Sequence, residues 1–276
     1  MKFKIIFVLF NAIIVFSFLF IFLMPFFILG WDYTQLFWSR NWFLGAIFVA
    51  IMAVLNGYFI ANWKLFGFLE REDWDGLIGY IEHRLYDRKI YRAHEVKILI
   101  NTYVVKSNTE AILRLETVLR AERERLIPVF ALQFGIPHLL KNDPIDMEIY
   151  FGELKENPHC RDRDWIVWNF AFSLMLQQKS EEAKAHLVAI AKSPRNPVLN
   201  LLTLYLLDAY GTADGEIAET VEKGKAAVRA RFSADRWHQE IEKQKSNLQV
   251  LVLAKLIEDA SDWTYPERRK TADTQS

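Results

Sequence analysis

The sequence predicts an all-α protein in which two N-terminal transmembrane helices precede a helical-hairpin solenoid with a C-terminal capping helix. Two long uncharged segments near the N-terminus predict the transmembrane helices. After them, small and apolar residues recur every 35 or 36 positions, which predicts the solenoid. The predicted organisation is a membrane hairpin over residues 1–63, a repeat domain over 64–232, a capping helix over 233–262 and a flexible tail over 263–276.

The first uncharged segment lies between Lys4 and Asp32 and predicts a span over about residues 5–29. A bilayer core needs about 20 apolar helical residues, and this segment is longer. A secretory signal peptide is the alternative, because Lys2 and Lys4 precede the apolar residues. The apolar region of such a peptide has only about 7–15 residues, so we expect the segment to be retained as a span.

The second uncharged segment, between Arg40 and Lys64, predicts a span over about residues 42–63 after a short connector. Basic residues are sparse in the connector and more frequent outside the two spans, where Lys2, Lys4 and Lys64 lie. By the positive-inside rule, both termini and the repeat domain face the cytoplasm. The sequence therefore predicts a multi-pass protein of the cell inner membrane.

One position early in the second helix of each predicted hairpin is usually small. Its members are 35, 36, 36 and 35 residues apart: Gly76, Ala111, Met147, Ala183 and Ala218. Large residues recur in the same phase thirteen residues earlier, at Trp63, Ile98, Phe134, Phe170 and Tyr205. A single hairpin cannot bury its apolar face alone, so we expect successive hairpins to stack.

The segment from Leu174 to Ala183, followed by Leu187 and Ala191, resembles the helix, turn and second helix of a tetratricopeptide repeat (TPR). Residues 101–119 are similar to the same signature. The period departs from the usual TPR length of about 34 residues. The resemblance implies a TPR-like solenoid that binds peptides or helices of protein partners and performs no chemistry of its own.

The C-terminal part of the chain predicts one long helix from Ala234 to Asp259, polar at first and apolar from Val250 to Ile257. A repeat array needs a terminal element that covers its last apolar face. We therefore interpret this helix as a cap, and we expect the charged, unpatterned residues after it to form a flexible tail.

Composition and motifs argue against several function classes. With 34 basic and 34 acidic residues, the chain carries no net charge to attract nucleic acid. Cys160 is the only cysteine, and none of the six histidines form an i, i+4 metal-binding pair. No phosphate-binding glycine loop or nucleophile motif is present. We predict a protein without catalytic residues, metal or cofactor.

The first helix of each hairpin lines the inner face of such a solenoid, and its apolar residues predict a groove for an amphipathic helix or peptide of a protein partner. The predicted groove residues are Leu65, Val96, Ile100, Ala131, Ile136, Trp168, Phe172 and Leu207. The alternative is that these side chains pack within the array or beneath the terminal helix, because apolar residues are most often buried.

A basic cluster lies between the first two predicted hairpins and consists of Arg84, Arg88, Lys89 and Arg92, with only Asp87 opposing it. If the second helix of the first hairpin returns toward the membrane, these residues approach the lipid surface. Each basic residue near anionic headgroups contributes about 1 kcal/mol to membrane binding. Membrane lipids are therefore predicted partners, and an ordinary solvated turn is the alternative.

These features together predict a membrane-anchored scaffold that presents a TPR-like array to other proteins. Anchoring raises the effective concentration of any partner that is also bound to the membrane. A non-catalytic accessory subunit of a larger membrane enzyme or transporter complex is the alternative.

Overall fold

The computed structural model describes residues 2–211, 214–245 and 247–266, and it confirms the predicted all-α class. Helices account for 84% of the chain, and the described residues contain no strand. The chain divides into two compact units, Met1–Glu95 and Val96–Ser276, which are described separately below.

The first unit begins with the two predicted apolar helices, α1 (Lys2–Leu29) and α2 (Trp31–Ala61). Gly30 separates them with a φ of +80°, a left-handed conformation that glycine adopts without steric cost. Ile5–Met24 and Thr34–Ala61 are each long and apolar enough to cross a membrane. None of the residues in these two segments is buried, and most of their apolar side chains are exposed.

Aromatic and amide side chains hold α1 against α2. Phe18 stacks on Phe48 with ring centroids 3.9 Å apart, and Phe22 stacks on Trp38 at 4.1 Å. Asn56 donates a hydrogen bond from Nδ2 to Oδ1 of Asn11 at 2.9 Å. Each amide also donates to a carbonyl of its own helix, Asn11 to Phe7 and Asn56 to Met52, both at 2.9 Å. Hydrogen bonds between amide side chains link helices in an apolar environment.

The short connector expected between the two apolar segments is helical. α2 already begins at Trp31, and the connector residues form its first turns. Asn41 alone departs from helical geometry, with φ −119° and ψ 21°, while its Nδ2 donates to the carbonyl of Phe37 at 2.9 Å. A local side-chain hydrogen bond of this kind competes with the helix and accounts for a kink rather than a break.

A short soluble hairpin follows α2 within the first unit. It comprises α3 (Trp63–Glu70) and α4 (Trp74–Glu82), which pack together, and a π-helical turn over His83–Asp87. Asn62 separates α2 from α3, because it leaves helical geometry at φ −105° and ψ 12°. Its Nδ2 instead donates to the carbonyl of Tyr58 at 2.8 Å.

The second unit consists of further helices arranged mostly as antiparallel pairs. Their bounds are α5 (Ala93–Val105), which begins in the first unit, α6 (Thr109–Glu122), α7 (Ala131–Lys141), α8 (Pro144–Leu154), α9 (Arg163–Leu176), α10 (Ser180–Ala191), α11 (Pro197–Gly211) and α12 (Gly215–Arg231). Two short 3-10 helices, Glu124–Leu126 and Pro128–Phe130, precede α7. Each helix from α6 to α12 packs against the next one along the chain.

The turns between paired helices repeat a common geometry. A non-glycine residue with positive φ lies at intervals of 35, 35 and 36 residues, at Glu72, Ser107, Asn142 and Gln178. The next residue in each case is the N-cap of the following helix. Asp73, Asn108 and Asp143 accept hydrogen bonds from the exposed backbone N–H groups of that helix, which stabilises its first turn.

The C-terminal segment is not the single helix predicted over Ala234–Asp259. It forms three helices, α13 (Ala234–Gln244), α14 (Leu248–Val252) and α15 (Ala254–Thr264). Asn247 starts a new helix by accepting a hydrogen bond from the N–H of Gln249, and Leu253 leaves helical geometry before α15. Asparagine favours an N-cap over a helix interior, so the long helix ends there.

The predicted tail begins later than expected. α15 continues through Thr264, whose side chain is fully buried, and Trp263 donates from Nε1 to Asp208 at 3.0 Å. Residues 267–276 of the predicted tail lie outside the described part of the chain.

Candidate functional site

The residues of the predicted partner groove lie mostly in the protein interior. Phe172 is half-buried, and the other seven are at most 4% exposed: Leu65, Val96, Ile100, Ala131, Ile136, Trp168 and Leu207. Trp168 has no exposed surface and stacks on Phe172 at 5.2 Å. The burial favours the alternative interpretation, in which these side chains form the core of the array.

α14 covers part of this inner face in the second unit. Gln249, at the start of α14, is buried and donates from Nε2 to the carbonyl of Leu132 in α7 at 3.1 Å. Its Oε1 accepts from Nδ2 of Asn169 in α9 at 3.1 Å. The adjacent Val250 is 2% exposed. The C-terminal segment therefore returns to the first helices of two earlier hairpins, where an external peptide was predicted to bind.

A different apolar surface remains exposed on the second unit. Val105, Leu140 and Leu176 are 63%, 57% and 42% exposed. They occupy the C-terminal ends of α5, α7 and α9, at equivalent positions 35 and 36 residues apart. Contiguous exposed apolar patches mark interaction sites, whereas apolar residues exposed singly are common on protein surfaces.

The residues of the basic cluster in the first unit differ in their surroundings. Arg84 is held by the buried carboxylate of Glu95, with Nη2 to Oε1 at 2.9 Å and Nε to Oε2 at 3.2 Å. Burial disfavours its charge, but the hydrogen bond to Tyr80 and the Glu95 carboxylate together raise the pKa of Arg84. Arg92 also approaches Glu95, at 3.9 Å, whereas Arg88 and Lys89 are exposed.

A cavity of about 460 Å³ lies beside this cluster, at the C-terminal end of α2. One wall is formed by Ile60 and Ala61 of α2 with Lys64 of α3. The rest of the lining is formed by the polar residues Tyr80, His83, Arg84 and Arg88. Two of the four predicted cluster residues, Arg84 and Arg88, therefore line one site.

The sequence reasoning missed the other polar residues of this cavity. The sequence analysis places Lys64 only outside the predicted spans and gives Tyr80 no role in a site. A usable signal was present, because Tyr80, Arg84 and Arg88 follow one another at i, i+4 spacing. That spacing places all three on the same side of a helix.

A second polar network lies in the second unit around His138. Its Nδ1 lies 2.8 Å from Oδ2 of Asp146, and its Nε2 lies 3.5 Å from Oε2 of Glu116. The ring stacks on Tyr150, whose hydroxyl donates to the carbonyl of Ala131 at 2.7 Å. Burial disfavours the charged ring, but the two carboxylates outweigh it and raise the pKa of His138.

Cys160 is half-buried, and its thiol points at the carbonyl of Leu154 at 3.5 Å. Burial raises the pKa of this thiol. Among the residues that the structure describes, no three His, Cys, Asp or Glu side chains are grouped closely enough to hold a metal ion.

The fold and its sites define an all-helical protein with two N-terminal apolar helices that are long enough to cross a membrane. The chain belongs to the family described as "Uncharacterised Treponema protein", whose model matches residues 111–266. It is 27% identical over 232 residues to a protein of Treponema pallidum (strain Nichols), described as "Uncharacterized protein". The match covers 80% of this chain and 74% of that relative. No solved structure matches the chain significantly.

Proposed function

We propose that this protein is a non-catalytic scaffold of the cell inner membrane, in which α1 and α2 span the bilayer and the helical hairpins bind other proteins. The observation that carries the proposal is the turn geometry repeated at 35, 35 and 36 residues. A repeat of this length is typical of TPR-like solenoids, which bind peptides and helices along extended surfaces.

The orientation rests on the distribution of basic residues. Lys64, Arg71 and Arg84 follow α2, whereas residues 25–33 between the candidate spans contain no basic residue, and Arg40 lies within the second span. Both termini and the hairpins then face the cytoplasm. A protein held there meets membrane-bound partners at a raised effective concentration.

The partner surface differs from the groove predicted from the sequence. Since α14 lies against α7 and α9, we assign partner binding to the exposed apolar row formed by Val105, Leu140 and Leu176. An amphipathic helix with anchors on one face is the kind of partner that such a row accepts.

The test is co-purification of the full chain from its own membranes after mild detergent extraction, followed by quantification of bound proteins. We expect a stoichiometric partner that is lost when Val105, Leu140 and Leu176 are all changed to serine. The matched control changes Leu113, Ile145 and Ile149, three exposed apolar residues on second helices, to serine. Absence of a stoichiometric partner from the parent protein would contradict the scaffold.

An accessory subunit of a larger membrane complex is the second candidate, and one face of α2 favours it. Ala46, Ala50, Ala53, Gly57 and Ala61 are exposed and recur at three- or four-residue intervals. Small residues allow a helix from another membrane protein to approach closely. Changing Ala50 and Gly57 to isoleucine then disrupts a complex that the serine variants of the apolar row leave intact.

A further inference from the structure

The cavity at the end of α2 combines an apolar wall with several cationic groups. Lys64 and Arg88 form no ion pair with any residue that the structure describes. Unpaired cations facing one cavity repel each other, and an anion bound between them removes this repulsion. A negatively charged ligand bound between them is therefore attracted by both charges.

Arg84 is the fixed member of the cationic set. Two of its nitrogens bind Glu95, a carboxylate that is itself 2% exposed, and Nη1 donates to the hydroxyl of Tyr80 at 3.2 Å. These contacts hold the guanidinium in one orientation and leave other N–H groups available. A guanidinium held in this way is suited to binding the oxygens of a phosphate.

Tyr80 supplies a further hydrogen-bond donor. Its hydroxyl accepts the hydrogen bond from Arg84, so its own proton can be donated elsewhere. The acidic groups nearby have partners of their own: Asp87 lies 2.6 Å from Nδ1 of His83, and Glu95 lies against Arg84. The cavity is consequently rich in donors and cations relative to acceptors.

The backbone on the polar side also departs from a regular helix. His83–Asp87 forms a π-helical turn, a conformation that is rare and frequently found at functional sites. Arg84 lies within this turn and Arg88 directly after it. The wider turn changes the direction in which these two side chains leave the backbone.

The apolar wall defines the level of the cavity relative to a bilayer. Ile60 and Ala61 are the last residues of the apolar helix α2, and Lys64 follows one turn later. A cavity at the end of a spanning helix lies at the depth of the lipid headgroups, where acyl chains meet phosphates. One ligand can then contact both walls.

We propose that this cavity binds a phosphate group, and that this group is the phosphodiester of an anionic phospholipid. Lys64, Arg84 and Arg88 bind the phosphate oxygens, Tyr80 donates a hydrogen bond to them, and Ile60 contacts the start of the acyl chain. Three cations favour a lipid of net negative charge over one whose phosphate is already neutralised by its own amine.

The proposal is tested with the full chain in nanodiscs that contain phosphatidylcholine and phosphatidylglycerol. Lipids retained after release into detergent are counted by native mass spectrometry. We expect the parent to retain phosphatidylglycerol selectively and K64Q/R88Q to bind it about thirtyfold more weakly, given the contribution of each basic residue near anionic headgroups.

The control variant R71Q/K97Q removes one arginine and one lysine outside the cavity, so its net charge equals that of K64Q/R88Q. It should retain phosphatidylglycerol like the parent. Equal retention by K64Q/R88Q and the parent would overturn the proposal. Equal loss in both variants would also overturn it, because net charge alone would then explain the binding.

Inorganic phosphate carries the same chemical group as the phospholipid headgroup, and a second experiment distinguishes these two ligands. The chain is placed in phosphatidylcholine nanodiscs and titrated calorimetrically with inorganic phosphate. Phosphate binding that requires Lys64 and Arg88, without selective retention of phosphatidylglycerol, would overturn the lipid assignment. Selective retention of the lipid with no heat from phosphate supports it.

The inference rests on one part of the proposed function, namely that α1 and α2 cross the bilayer. Alkaline carbonate extraction of membranes distinguishes a failure of the membrane anchor from a failure of the phosphate site. Release of the chain by carbonate contradicts the membrane anchor itself. A chain that resists extraction but shows no lipid selectivity contradicts only the phosphate site, and neither result depends on a protein partner.

Discussion

Asn169 and Gln249, eighty residues apart in the sequence, are joined by a buried hydrogen bond of 3.1 Å. Gln249 also donates to the carbonyl of Leu132 in α7. Both side chains are at most 1% exposed, so water does not replace a lost partner. These hydrogen bonds hold the C-terminal segment against α7 and α9 in the second unit.

Replacing Gln249 with alanine should lower the free energy of unfolding of the detergent-solubilised chain by about 2 kcal/mol, because a buried amide and a carbonyl lose their partner. Denaturation in urea, followed by tryptophan fluorescence, measures the change. Gln239→Ala in the exposed part of α13 is the matched control and should change stability little. Equal effects of the two substitutions would show that the hydrogen bonds to α7 and α9 contribute nothing.

The stability of the protein should also depend on pH through His138. Its pKa in the folded protein is raised above the unfolded value of about 6.5 by Glu116 and Asp146. The protonated ring is therefore stabilised in the folded state, and this contribution is complete below about pH 6.5. It is lost as the pH rises through the folded pKa.

Unfolding experiments at a series of pH values from about 6 upward, which bracket the unfolded histidine pKa, measure this dependence. The free energy of unfolding should fall with rising pH in the parent and fall less in His138→Gln. The exposed His159 provides the control substitution, His159→Gln, which should keep the dependence of the parent. A parent whose stability falls no more steeply with pH than that of His138→Gln would contradict the assigned direction.

The close crossing of paired helices can be tested at Ala183 in α10. This residue has no exposed surface, so Ala183→Leu should destabilise the protein by about 1–3 kcal/mol through overpacking. Ala185→Leu adds the same side chain two residues later, at an exposed position of the same helix, and should be tolerated. Thermal unfolding compares them, and equal tolerance of both would contradict tight packing at this repeat position.

Cys160 provides a test of orientation. We expect a membrane-impermeant maleimide to label it after permeabilisation of cells and not before. Burial raises the pKa of the thiol, so labelling should be slow near neutral pH and faster at higher pH, where more thiolate forms.

A Lys97→Cys substitution in a Cys160→Ser background gives a more exposed reporter within the second unit. It should label with the same dependence on permeabilisation. Labelling of this reporter in intact cells would place the hairpins on the outer side of the membrane and contradict the cytoplasmic orientation.

Local periodicity was sufficient to predict the two apolar helices and the positions of the hairpin turns. Gly30 adopts a positive φ, and Asn108 and Asp143 are helix N-caps, as expected for these residue types. The return of α14 to α7 was not predictable in the same way, because it depends on partners 80 and 117 residues away. Its one local signal was a glutamine within an otherwise apolar segment.

The cavity in the first unit was only half predicted, for a related reason. The basic residues were visible as a cluster, and their i, i+4 spacing with Tyr80 was available. Lys64 belongs to a different helix, and no sequence pattern shows which helices face each other. The buried Glu95, which fixes Arg84, looked like an ordinary surface residue for the same reason.

The position of α14 has a consequence for how the chain acquires its structure during synthesis. In a simple repeat array, each hairpin completes its contacts as soon as its neighbour emerges from the ribosome. Here the hydrogen bond from Gln249 to the carbonyl of Leu132 forms only after 117 further residues have been synthesised. The middle hairpins therefore complete their contacts only after the C-terminal segment has been synthesised. In a truncated chain, the apolar surface that this segment covers is exposed to chaperones and proteases.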